Sequence, residues 1–84
     1  DIQRWAENQT FIALGQTLLA AGIEGIDATP IGGFNEEIIS KELGLAEKGL
    51  IPSVLLALGY RSENDFNAKL PKSRLKEQEV FTVL

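Results

Sequence analysis

Lys69, Lys72, Arg74 and Lys76 crowd into eight residues of a chain whose formal net charge is −4, and no acid lies between Asp65 and Glu77. Pro71 excludes a helix interior and pushes Leu70 toward extended backbone. In an extended chain residues two apart share a side, so Lys72, Arg74 and Lys76 point one way while Ser73 and Leu75 point the other. A Lys point charge beside an Arg fork is a receptor for a phosphate monoester. The alternative is a charge run that water alone solvates. A second candidate is Thr29-Pro30-Ile31-Gly32-Gly33-Phe34, where a strand ends in two glycines. With no Cβ to hold a ligand away, their backbone N–H groups can donate to an acceptor atom on a flat heterocycle. The alternative there is a plain strand-to-helix turn. No G-x-G-x-x-G opens a helix, so it is not a dinucleotide fingerprint.

These segments need elements to position them. Trp5, Ile12, Leu19 and Ile23 recur at helical spacing, and Phe11, Leu14 and Leu18 form a second row, which predicts one helix from Ile2 to about Ile23. Two apolar rows are more than a surface helix needs, so two different partners are expected to cover them: the segment is either an ordinary core helix or one that turns a row toward a second subunit. Gly22 and Gly25 end the helix. Residues 26–31 read as a short strand. Asn35 is an N-cap, Glu36 and Glu37 suit the positive end of a dipole, and Phe34 can staple onto Ile39, which predicts a two-turn helix closed by Gly44. Residues 45–49 make a further turn. Val54-Leu55-Leu56-Ala57-Leu58, between Pro52 and Gly59, reads as a central strand buried on both faces. Its only possible neighbours here are residues 26–31 and 80–84, a thin sheet for so apolar a strand.

Composition narrows the chemistry. The 84 residues include no His and no Cys, which removes Ser-His-Asp and thiolate catalysis, disulfides and Cys-based metal sites. With 44% hydrophobic and 24% charged residues the chain reads as globular, and its acidic balance argues against nucleic acid. No apolar run approaches the length of a membrane span, the opening DIQRW carries no signal region, and the expected location is cytoplasmic. Asp1 is not an initiator Met, so a longer parent chain is expected.

Taken together, GIDATPIGGF (residues 25–34), LGLAEKGL (43–50) and above all DFNAKLPKSRL (65–75) resemble the C-terminal part of the oxygen-insensitive NAD(P)H nitroreductases, a family of FMN enzymes. The resemblance covers essentially all 84 residues and leaves more than half of a typical member outside the chain. It implies an α+β fold: the C-terminal portion of a single sheet-and-helix domain, with a long first helix, a short second helix, a buried central strand and a C-terminal tail exchanged between subunits. It also implies a homodimer with FMN at the subunit interface, NAD(P)H as electron donor, and nitroaromatics, quinones or free flavins as acceptors.

Residue by residue, Lys72, Ser73 and Arg74 match the family's phosphate-binding KSR motif. Gly32 and Gly33 match positions whose backbone lies against the flavin ring, with Pro30 and Ile31 leading in. The turn Ala21, Gly22, Ile23, Glu24, Gly25 and Ile26 corresponds to a stretch associated with the nicotinamide dinucleotide. No catalytic side chain and no metal ligand is implied, because the flavin carries the chemistry. The sequence departs from the family at Gly32, where Glu is commoner, as PxEGF. The family's further phosphate ligands, from an N-terminal Arg-x-Ser-type segment, have no match here, so these residues alone are expected to bind FMN poorly. From a different class, a non-catalytic dimerisation module would account for the apolar helix and tail, but such a module has no need of Lys72 and Arg74.

Overall fold

The structure is a computed structural model that describes all of residues 1–84. A 22-residue helix, α1 (Ile2–Ile23), is followed by strand β1 (Asp27–Ile31), helix α2 (Glu36–Glu42), a 3-10 turn (Ala46–Lys48), strand β2 (Leu55–Gly59), a second 3-10 turn (Phe66–Lys69) and a four-residue helix α3 (Glu77–Val80). Asp1 starts α1: its Oδ1 accepts from the N–H groups of Gln3 (2.9 Å) and Arg4 (3.3 Å), satisfying donors that a helix start leaves open. At the other end Gly25 takes φ +73°, where a side chain would be strained, while Gly22 lies inside the last turn. The Gly25 and Ile26 N–H groups then donate to the carbonyls of Gly22 (3.2 Å) and Ala21 (2.8 Å), closing the helix.

The same physics bounds α2. Asn35 Oδ1 accepts from the Ile38 N–H at 3.0 Å, and Gly44, at φ +62°, lets Leu45 N–H return to the Ser40 carbonyl at 2.9 Å. Phe34 and Ile39 are both half-buried, as a staple across the cap requires.

β1 and β2 pair antiparallel with Asp27 opposite Gly59 and Ile31 opposite Leu55, and they form the whole sheet. α1 packs on β1. Of its two apolar rows, Leu14 and Leu18 are half-buried, and Ala21 beside them is the chain's single buried residue. The other row is bare: Trp5, Ile12, Leu19 and Ile23 keep 61–76% of their area exposed. The expected two-sided helix is therefore real, and only one side of it is covered within the chain.

The structure differs from the sequence reading in the sheet. β2 was expected to lie between two neighbours and be buried on both faces, yet it pairs with β1 alone and leaves Ala57 and Leu58 exposed. Residues 80–84 supply no strand, because Val80 completes α3 and the last four residues are unpaired, with Val83 and Leu84 wholly exposed. The physical reason is length: one long helix packed on a two-stranded sheet, with two short helices beside them, cannot enclose a core. The accessible surface is 7824 Å², about 2,900 Å² more than a compact protein of this mass exposes. The radius of gyration is 16.1 Å, against about 12 Å for a compact domain of this length.

Candidate functional site

The cationic segment is positioned from its N-terminal side. Asp65 caps the second 3-10 turn by accepting from the Asn67 N–H at 2.9 Å, and Leu70 N–H closes it on the Asn67 carbonyl at 3.2 Å. Pro71 then enforces extended backbone on Leu70 (φ −74°, ψ 144°). Residues 71–76 adopt no regular structure, and Glu79 fixes the exit by accepting from the Lys76 N–H at 3.3 Å. Lys72, Ser73 and Arg74 are all exposed, and none of the segment's four cations is in an ion pair. Arg74 donates once from Nη1, to the Ser73 carbonyl at 3.0 Å, so most of its five donors remain unspent.

Lys72 also lines an open cleft of about 390 Å³ between the sheet and the turn, together with Thr29, Tyr60, Arg61 and Asp65. Arg74 and the glycine pair do not line it. Pro30 and Ile31 are in β1 opposite Leu56 and Leu55, and Gly32 and Gly33 continue past the strand end. Both glycines are exposed, and a Cβ at either would meet nothing within 4 Å. Neither N–H has a backbone acceptor, so both are available to a ligand. Free cations for a phosphate and free N–H groups for a ring acceptor fit FMN by residue type, and of these the cleft gathers only Lys72.

The turn of residues 21–26 is different. Its N–H groups at Glu24, Gly25 and Ile26 are all consumed by the α1 cap. Its solvent-facing polar side chain is Glu24. No cluster of His, Cys, Asp or Glu offers a metal site, and no helix is long and apolar enough to cross a membrane.

Sequence reasoning missed one feature. Arg61 grips Asp27 across 34 residues: its backbone N–H and Nε donate to Oδ2 at 2.8 and 3.0 Å, and Nη2 donates to Oδ1 at 2.5 Å. The guanidinium hydrogen bonds, then the backbone N–H, pull the Asp27 carboxyl down to about 2, and the carboxylate in turn raises Arg61. Only the strand register brings these residues together, so no local pattern announces the pair.

Similarity to known proteins follows the whole chain. The sequence model of the Nitroreductase family matches residues 1–60. The oxygen-insensitive NAD(P)H nitroreductase of Enterobacter cloacae is 43% identical over 82 residues, covering 98% of this chain and 38% of that protein. The oxygen-insensitive NAD(P)H nitroreductase of Salmonella typhimurium is 42% identical over the same share of each chain. The major NAD(P)H-flavin oxidoreductase of Aliivibrio fischeri is 37% identical over 81 residues, covering 95% of this chain and 37% of that protein. The chain thus spans less than two-fifths of the length of these relatives. The family match over residues 1–60 and the identity over nearly the whole chain show that it belongs to the nitroreductase family.

Proposed function

We propose that residues 1–84 are the C-terminal part of a single nitroreductase-type domain, and that the complete protein is a cytoplasmic, homodimeric, FMN-dependent NAD(P)H oxidoreductase. The observation that carries this reading is the pair Lys72 and Arg74, two unpaired cations two residues apart in an otherwise acidic chain. Relatives named as NAD(P)H nitroreductases and an NAD(P)H-flavin oxidoreductase support it. Bound FMN would supply the redox chemistry, linking NAD(P)H as donor to a nitroaromatic, a quinone or a free flavin as acceptor.

The chain's own residues hold that cofactor. Lys72 and Arg74 neutralise its phosphate through charge-assisted hydrogen bonds, with Ser73 between them. The Gly32 and Gly33 N–H groups donate to the edge of the ring, and Pro30 and Ile31 set the approach of the strand. The turn of residues 21–26 corresponds to the stretch associated with the nicotinamide dinucleotide, but its spent N–H groups and its Glu24 side chain offer that anion no donor. The bare row of Trp5, Ile12, Leu19 and Ile23 and the unpaired tail are covered in the complete dimer, the tail by exchange onto the partner's sheet.

The test is the visible spectrum of the complete protein, purified without added cofactor and then mixed anaerobically with NADH or NADPH. A flavin band that bleaches, and returns when a quinone or nitroaromatic is added, is the expected result. A colourless protein that takes up no FMN contradicts the reading.

A further inference from the structure

Arg61 is not part of the cationic segment, yet it lies in the same cleft as Lys72. It makes three hydrogen bonds to one carboxylate, at the point where β1 begins and just past the end of β2. With side chains 58% and 36% exposed, such a pair contributes little to stability unless its geometry is well aligned. Here the geometry is bidentate, and the Arg61 backbone N–H joins it, so the main chain as well as the side chain is fixed. Four residues later Asp65, which lines the same cleft, caps the turn that delivers Leu70, Pro71 and Lys72.

Asp27 offsets the charge of Arg61 and takes its Nε–H and one Nη2–H. Asp65 Oδ1 accepts from the Asn67 N–H. Lys72 is left as the unpaired cation of the cleft.

We propose that Arg61, clamped by Asp27, is a positioning residue that sets the place of Lys72 for a phosphate-bearing ligand, by fixing the start of the segment 61–72 on the sheet. This inference rests on the flavin-phosphate reading above and adds to it the device that aims the cation. The cleft wall shared by Asp27, Arg61, Asp65 and Lys72 connects the strand to the cation without passing through α1 or α2.

The experiment measures Kd for FMN and for riboflavin, by flavin fluorescence quenching, in the complete protein and its Arg61→Gln, Asp27→Asn and Lys72→Ala variants. Riboflavin carries the same ring without the phosphate, so the ratio of the two constants reports the phosphate contact alone. A loss of overall packing weakens both ligands together. The expected result is that Arg61→Gln and Asp27→Asn each weaken FMN about tenfold while leaving riboflavin within about twofold, as Lys72→Ala also does. Arg61→Lys, which keeps a cation beside Asp27 and the backbone N–H that donates to it, should retain part of the preference for FMN. If Lys72→Ala removes the FMN preference and Arg61→Gln does not, the positioning role is overturned and the phosphate site stands. Equal weakening of FMN and riboflavin by Arg61→Gln likewise overturns it in favour of a purely structural role. If Lys72→Ala leaves the preference intact, the phosphate reading falls and this inference with it.

Discussion

Residues 1–84, prepared alone, should self-associate through the bare row of α1, and the size of the effect follows from its exposure. The chain displays about 2,900 Å² more surface than a compact protein of its mass, several times one side of a standard interface of about 800 Å². Ile12 and Leu19, one above the other on this face, keep 61% and 67% of their area in water. Complete burial of such a side chain stabilises by about 1.5–3 kcal/mol, so covering what each still exposes contributes about 1–2 kcal/mol. In a symmetric pairing both copies lose these side chains, so replacing both with Gln should cost the association about 4–8 kcal/mol, a rise in Kd of about 700-fold or more. Sedimentation velocity over a range of concentrations reads the association, and small-angle scattering reads the shape of the smallest species. A wild-type chain that stays monomeric, contracts to a radius of gyration of about 12 Å and unfolds cooperatively would refute the reasoning. So would a double variant that associates as well as the parent.

Further predictions concern single positions. Gly32→Glu should be accepted in the complete protein, with stability changed by less than about 0.5 kcal/mol, because a Cβ there meets nothing within 4 Å and φ is not left-handed. Retained FMN with a shifted reduction potential is expected, and loss of flavin would count against a backbone contact at that position. Gly25→Ala, by contrast, places a side chain at φ +73° and should cost about 1–2 kcal/mol in thermal or denaturant unfolding. The Asp27 carboxyl, followed by carbon-detected NMR, should titrate near 2 rather than 3.8, and Arg61→Gln should bring it back up. Because the folded value is the lower one, the stability this ion pair adds is complete above about 3.8 and drains away as pH falls toward 2.

What the sequence makes legible is whatever depends on neighbours along the chain. The reach of α1, the Asn35 cap, the Gly44 stop and the extended entry at Pro71 all follow from local sterics and hydrogen bonding, and each is present. Both strands lie within a residue of their expected places. The environment of β2 is harder to read, because five apolar residues suit a central strand while the number of neighbours depends on what else is folded against it. The tail has the same ambiguity: Glu79 reaches back to the Lys76 N–H and makes a turn where alternation suggests a strand. Within the candidate site, the Lys72–Arg74 spacing and the glycine pair are visible as residue types. The Asp27–Arg61 clamp is not, since it exists only once Asp27 stands opposite Gly59.

The claim on which the account turns is that Lys72 and Arg74 hold a flavin phosphate, and the most direct measurement is FMN affinity in the complete protein with both residues replaced by Ala. Each charge-assisted contact is worth about 1.5–3 kcal/mol, so losing even one of them weakens FMN by about 10- to 150-fold, and losing both weakens it further. Fluorescence quenching should show that loss while riboflavin binds as before. An FMN Kd unchanged from wild type would contradict the account.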